Sequence, residues 1–184
     1  MKTHKLIKQA ISRELADFIY LYFLNKRKVV LYFFESKYIS PFAEEWGRWD
    51  DPQVPNTYSH YSDLVMETLL QQIKPLMEIE TQASLIETYS YARIYKKGDE
   101  LKKHIDRPSC EVSCTMNLGG EMWPIFLDGE EILLNPGDML IYRGHEIEHW
   151  REPFMGNNCA QVFLHYNEKN GEFNNTNKYD GRPF

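Results

Sequence analysis

Ser84-Leu-Ile-Glu-Thr-Tyr-Ser-Tyr-Ala-Arg-Ile-Tyr-Lys-Lys-Gly-Asp-Glu-Leu-Lys-Lys-His-Ile-Asp106 is the stretch on which the fold turns. Its first half is β-branched and aromatic, Gly98 marks a turn, and a second run then carries His104 and Asp106, so the pattern predicts a strand, a turn and a second strand. Side chains alternate along a strand, which places positions 104 and 106 on one face. His149 follows 43 residues after Asp106. Two imidazoles and one carboxylate suit a ferrous ion, and three ligands on one side of it leave the remaining positions open to oxygen and a chelating cosubstrate.

A bare His-x-Asp is a weak signal, so its surroundings must carry the weight. Downstream, Glu131-Ile-Leu-Leu-Asn-Pro-Gly-Asp-Met-Leu-Ile-Tyr-Arg-Gly144 gives two short apolar runs divided by a Pro-Gly-Asp turn, and the segment bearing His149 begins just after it. The three residues therefore sit among short strands. His145-Glu146-Ile-Glu-His149 also satisfies His-Glu-x-x-His, a zinc peptidase motif, but only on a helix. Gly144 before it, Pro153 after it and the lack of a helical apolar stripe argue against that helix, and no further His follows at the required spacing.

Tyr95-x2-Gly98-x5-His104-x-Asp106, then Val112-Ser-Cys-Thr-Met-Asn-Leu118, then Pro136-Gly-Asp138, then His149-x3-Pro153 resembles the prolyl 4-hydroxylase-like branch of the 2-oxoglutarate and Fe(II)-dependent oxygenases. The resemblance covers residues 86 to 166. It implies a mainly β fold with flanking α-helices, a double-stranded β-helix (jelly roll, cupin-like) with the N-terminal helices packed outside. It also implies Fe(II) at the mouth, held by His104, Asp106 and His149, with 2-oxoglutarate lying inward and O2 as the second cosubstrate. The implied reaction is hydroxylation of an aliphatic C–H bond, with a prolyl or other peptidyl residue as leading substrate. A small-molecule or free amino acid hydroxylase is the nearest alternative, and a non-catalytic jelly-roll metal-binding protein is another.

One departure matters. Relatives anchor the distal carboxylate of 2-oxoglutarate with Arg or Lys about nine to eleven residues after the distal His, and here Asn158, Cys159 and Ala160 stand there. A carboxylate away from water still needs a cation. Arg151, two residues after His149 and so on its face, is the first candidate, and its planar fork suits bidentate binding. Arg93, on the face of Tyr95, is the second. Tyr95, Asn117 and Gln161 would add hydrogen bonds. Each has a plainer reading: Arg151 paired at the surface with Glu148 or Glu152, Tyr95 an ordinary core aromatic, Arg93 a rim charge.

With 184 residues, 42% hydrophobic and 14% aromatic, the chain has material for one substantial core. A single domain over 1–184 is expected, with helical framing and an aromatic loop over 1–82, a catalytic core over 83–166 and a polar tail over 167–184. Three Cys, at 110, 114 and 159, argue against a disulfide scaffold and for a reducing, cytoplasmic setting, and Cys110-x3-Cys114 lacks partners for zinc. The apolar stretch Leu15 to Leu24 contains Asp17 and precedes Asn-Lys-Arg-Lys, so neither signal peptide nor membrane span is expected. A net charge of −6 disfavours nucleic acid as a partner, and a homo-oligomer stays open.

Apolar residues at 7, 11, 15, 18, 19, 22 and 23 predict a helix from Ile7 to Leu24. Ser62 is placed as the cap of a second helix carrying Leu64, Met66, Leu69, Leu70 and Ile73. Between them, beyond an apolar run from Val29 to Phe34, residues 38 to 61 hold Trp46, Trp49, Tyr58 and four other aromatic or His residues. Such a connection either walls the substrate groove or covers a barrel edge. His60 and His165, in no ligand pattern, are expected to be structural, and the Gly/Asn-rich tail to be flexible or a docking strap.

Overall fold

The computed structural model describes residues 4–40, 42–174 and 180. Ten strands form two antiparallel sheets. β1 (His4–Ile7), β8 (Met139–Tyr142), β5 (Val112–Gly120), β10 (Asn158–Glu168), β3 (Leu85–Lys96) and β2 (Ser59–Tyr61) lie side by side in that order. The smaller sheet runs β4 (Leu101–His104), β9 (His149–Arg151), β6 (Ile125–Leu127) and β7 (Glu130–Ile132). The sheets face each other as a jelly roll, and two helices, α1 (Arg13–Glu35) and α2 (Leu64–Thr81), cover the outside of the larger one.

β3 and β10 form the longest ladder, from Asn158 opposite Lys96 to Glu168 opposite Leu85, with one irregularity at His165 and Tyr166. Alternation gives this sheet two unlike faces. Ala92, Ile94, Cys114, Met116, Ala160, Val162 and Leu164 point outward into one cluster with Ile19 and Phe23 of α1 and Met66, Leu70 and Met77 of α2. Each such large side chain contributes roughly 1.5–3 kcal/mol by leaving water. Between them, Tyr91, Arg93, Tyr95, Ser113, Thr115, Asn117, Gln161 and His165 point inward.

The N-terminal reading needs correction. Residues 4–7 are a strand paired with Tyr142 to Met139, and the helix starts only at Arg13, where the Ser12 hydroxyl accepts from the Leu15 N–H. It continues to Glu35 and absorbs the Val29–Phe34 run, because no breaker intervenes before Ser36. Its buried stripe is Ala16, Ile19, Phe23 and Val30, while Leu15 and Phe18 are exposed. α2 is capped by Asp63, not Ser62: the Asp63 carboxylate accepts from the Val65 and Met66 N–H groups, whereas Ser62 has φ +53° and bonds to the Ser90 carbonyl. No helix among the described residues is long and apolar enough to cross a membrane. The three cysteines are buried and unpaired.

Candidate active site

His104 ends β4 directly opposite His149, which begins β9, so one ladder holds both imidazoles side by side. Asp106 lies just past the strand, not on it. Its N–H bonds to the Gly144 carbonyl at 2.8 Å, and this hook returns the carboxylate to the imidazoles. Asp106 Oδ1 is 3.4 Å from His104 Nε2 and 3.6 Å from His149 Nε2, and the candidate ligand atoms all lie within 4.8 Å of one another.

Both rings are oriented the same way. His104 Nδ1–H donates to the Lys102 carbonyl at 2.7 Å and His149 Nδ1–H to the Ile147 carbonyl at 2.9 Å, each two residues earlier in the chain. A carbonyl can only accept, so each Nε2 carries a lone pair aimed at the shared point. Burial holds the His149 imidazole below its usual value and therefore neutral. Burial pulls His104 down as well, but the Asp106 carboxylate and the Lys102 carbonyl outweigh it and leave the group raised. Burial pushes Asp106 up, yet the surrounding imidazoles, His104 foremost, bring it below the ordinary carboxylate range. One anionic and two imidazole donors fit a divalent iron.

The 145–149 segment is a turn followed by a strand: Glu146 and Ile147 both donate to the Arg143 carbonyl. His145 instead faces the Glu111 carbonyl and the Phe173 ring, so no zinc-peptidase helix exists there.

Arg151, on the face of His149, is only 1% exposed and pairs with neither Glu148 nor Glu152. Its Nη1 donates to the Trp123 carbonyl and its guanidinium lies 5.0 Å from the Trp123 ring, while Nε and Nη2 have no hydrogen-bond partner. Burial lowers its pKa, opposed by Cys159, Tyr95 and Tyr142 nearby. The hydroxyl of fully buried Tyr95 and Oδ1 of Asn117 are unpartnered too. A buried cation with two orphan donors is costly unless a ligand answers it. Asn117 Nδ2 donates to the Leu134 carbonyl. Gln161 accepts from Thr115 and donates to the Cys159 sulfur.

Arg93 is already committed: its Nη2 bonds Asp51 at 2.6 Å and the Tyr91 hydroxyl at 2.8 Å, and its Nη1 bonds Gln53 Oε1 at 3.1 Å. Gln53 in turn reaches His104 Nε2 at 3.4 Å. The aromatic connection therefore has two roles. Asp51 and Gln53 line a cavity of about 230 Å³ together with the three metal-ligand candidates. Trp49 and Tyr58 instead pack on Phe34 and Phe23 of α1. Next to that cavity, and sharing Asp51, Tyr61 and Tyr91 with it, is a recess of about 740 Å³ bordered by Trp46, Arg48 and Leu64.

His60 is structural as expected, held between Asp63 and the Glu45 carbonyl. His165 is not remote from the chemistry: it lines the metal-side cavity, packs at a tilt against the Tyr89 ring at 4.5 Å and lies in a second potential ligand group with Asp106 and Cys110. Strand alternation from Gln161 was the available signal. Of the tail expected over 167–184, Asn167 and Glu168 instead end β10, Asp180 docks on Tyr61 and Arg107, and residues 175–179 and 181–184 lie outside the described set.

No family model and no curated protein matches the chain. Solved structures do. A prolyl-4-hydroxylase from Pseudomonas putida is 14% identical at a TM-score of 0.61, covering 90% of this chain and 92% of its own. The viral collagen prolyl hydroxylase of Paramecium bursaria Chlorella virus-1, in complex with 2-oxoglutarate, is 11% identical at 0.62, covering 90% and 96%. HygX from Streptomyces hygroscopicus, with nickel and 2-oxoglutarate bound, is 10% identical at 0.63, covering 91% and 84%. The chain has the jelly-roll fold these proteins share.

Proposed function

We propose that the protein is a 2-oxoglutarate- and Fe(II)-dependent dioxygenase that hydroxylates an aliphatic C–H bond. The observation that carries this reading is the pairing of a two-His, one-carboxylate cluster with the buried, partnerless Arg151 on the same strand as His149. His104, Asp106 and His149 would hold the metal. Iron bound there supplies activation of oxygen coupled to decarboxylation of 2-oxoglutarate. Everything else is positioning. Arg151 would clamp the distal carboxylate with Nε and Nη2, and the Tyr95 hydroxyl would donate a further bond, replacing the cation that position 158, 159 or 160 lacks. Asn117 and Gln161 stand on the same inner face as a second rank of polar contacts. Tyr142, Leu101 and Phe163 line the cavity and exclude water from it. Arg93 fixes the Asp51–Gln53 segment against β3 and so shapes the entrance. The chain needs no general base, because orientation and dryness are its whole contribution.

A prolyl or other peptidyl residue is the substrate we place first. The recess beside the metal-side cavity, which shares Asp51, Tyr61 and Tyr91 with it, supports a substrate longer than the reacting group. Two of the matched structures are described as prolyl hydroxylases. A small-molecule substrate is the second reading, since HygX has also been solved with hygromycin B bound.

Anaerobic addition of Fe(II) and 2-oxoglutarate should give a weak visible charge-transfer band that His149→Ala abolishes. A featureless spectrum in the parent protein would remove the cosubstrate from the proposal.

A further inference from the structure

We infer that Arg107 and Tyr61 form a carboxylate-binding subsite for the substrate, held in this structure by the protein's own Asp180. The inference rests on the dioxygenase reading for what happens next to the subsite, but the subsite itself is visible without it. Arg107 directly follows the candidate ligand Asp106, and its guanidinium lies 4.7 Å from the ring of Tyr89. Tyr61 stacks on the same ring at 4.9 Å. Arg107, Tyr61 and Tyr89 all line the cavity that contains His104, Asp106 and His149. Into this corner comes one carboxylate. Asp180 Oδ2 accepts from Arg107 Nη2 at 2.6 Å, and the Tyr61 hydroxyl shares its proton between that oxygen at 2.9 Å and the Asp180 backbone carbonyl at 2.8 Å.

Two features mark the corner as a binding site. The Asp180 side chain retains only 13% exposure beside an Arg107 side chain that is 54% exposed, so the carboxylate is largely covered while the cation that holds it is reachable from solvent. Arg107 has no other acidic partner among the described residues, and a charge-assisted bond plus a phenol is a common carboxylate grip. A substrate whose carboxylate displaces Asp180 would be tethered beside the metal ligands, its neighbouring carbons held toward the ion and the rest of its length free to enter the recess past Tyr61. Recognition of a carboxylate is thus assigned to Arg107 and Tyr61, and recognition of the cosubstrate to the buried Arg151, two residues beyond His149 on β9.

The test uses the full chain, metal-free and carrying nitrogen-15 arginine, with the Arg107 Nε–H resonance assigned through Arg107→Lys. The probes are N-acetyl-leucine, with a terminal carboxylate, N-acetyl-aspartic acid α-amide, with a side-chain carboxylate, and N-acetyl-leucinamide, with none. A tethered competitor acts at an effective concentration on the order of millimolar, so in Asp180→Asn at least one acid should shift the resonance at about tenfold lower concentration than in the parent. The amide should leave it in place. Tyr61→Phe in the Asp180→Asn background should raise the acid concentration required several-fold. Whichever acid binds identifies the carboxylate as terminal or side-chain. Equal response to acid and amide, or no response to either acid in Asp180→Asn, overturns the subsite. Acid binding in a protein that shows no charge-transfer band would keep the subsite and sink the oxygenase reading instead.

Discussion

The outward face of β10 reads Ala160, Val162, Leu164, and the inward face reads Cys159, Gln161, Phe163, His165. Both are buried, yet one is cemented to two helices and the other encloses orphan donors. The outward cluster gains from every atom it removes from water. The inward face carries the partnerless Tyr95 hydroxyl, and Arg151 on β9 of the smaller sheet keeps Nε and Nη2 without partners, groups that oppose folding unless something binds them. The packed helical layer and the polar barrel interior thus lie on opposite sides of the larger sheet, and substitutions in the two regions should behave differently.

The strongest way to break this contrast is at its extremes. Phe23→Ala, under the outward face and fully buried, should lower unfolding free energy by about 3–5 kcal/mol in urea titrations. It should leave 2-oxoglutarate affinity of the folded fraction within twofold. Arg151→Met should do the reverse. Removing a buried unpaired cation should stabilise the ligand-free protein by on the order of 1–3 kcal/mol, while 2-oxoglutarate binding measured calorimetrically weakens by about 30-fold or more. A destabilised Arg151→Met with normal cosubstrate affinity would erase the distinction.

Acid titration sharpens it further. Burial pushes the Asp63 carboxyl up, but the hydrogen bond from His60 and the Lys26 ammonium outweigh burial and hold it well below its ordinary 3.8. The folded protein therefore binds fewer protons there than the unfolded chain, so the stabilisation is complete above about pH 4 and disappears as pH falls through the depressed folded value. Asp63→Asn should cost about 1–2 kcal/mol at pH 7 and should flatten the decline in stability between pH 5 and pH 3. An unchanged acid profile would remove Asp63 from the account of the helical side. The smallest effect belongs to Tyr95→Phe, which should weaken 2-oxoglutarate binding by about 1 kcal/mol with no loss of ligand-free stability, since the hydroxyl has no partner to lose.

The same contrast explains what was legible in the chain. The convergence of His104, Asp106 and His149 and the inward burial of Arg151 were legible because alternation on short strands is a local rule, though Asp106 meets its partners through a backbone hook to Gly144 and not through the strand. His165 obeyed the alternation but had no motif around it. Alpha-helix 1 was misplaced because apolar side chains surround it: Phe18, Leu21 and Tyr32 are exposed beside the buried Ile19 and Phe23, so no clean stripe marks its ends. Gln53 and Asp51 have no periodicity at all, and their place at the cavity follows from Arg93, forty residues away, drawing the loop inward. Contacts made across that distance leave no local trace.

The two backbone carbonyls that orient His104 and His149 have a consequence for genetics. Because the peptide units of Lys102 and Ile147 do the orienting, no codon change at those two positions removes the acceptor oxygen, and a scan of side chains will report Lys102 as dispensable and Ile147 only for the packing of its buried side chain. Only chemical synthesis, replacing the amide that follows each carbonyl by an ester and so weakening it as an acceptor, would expose their role.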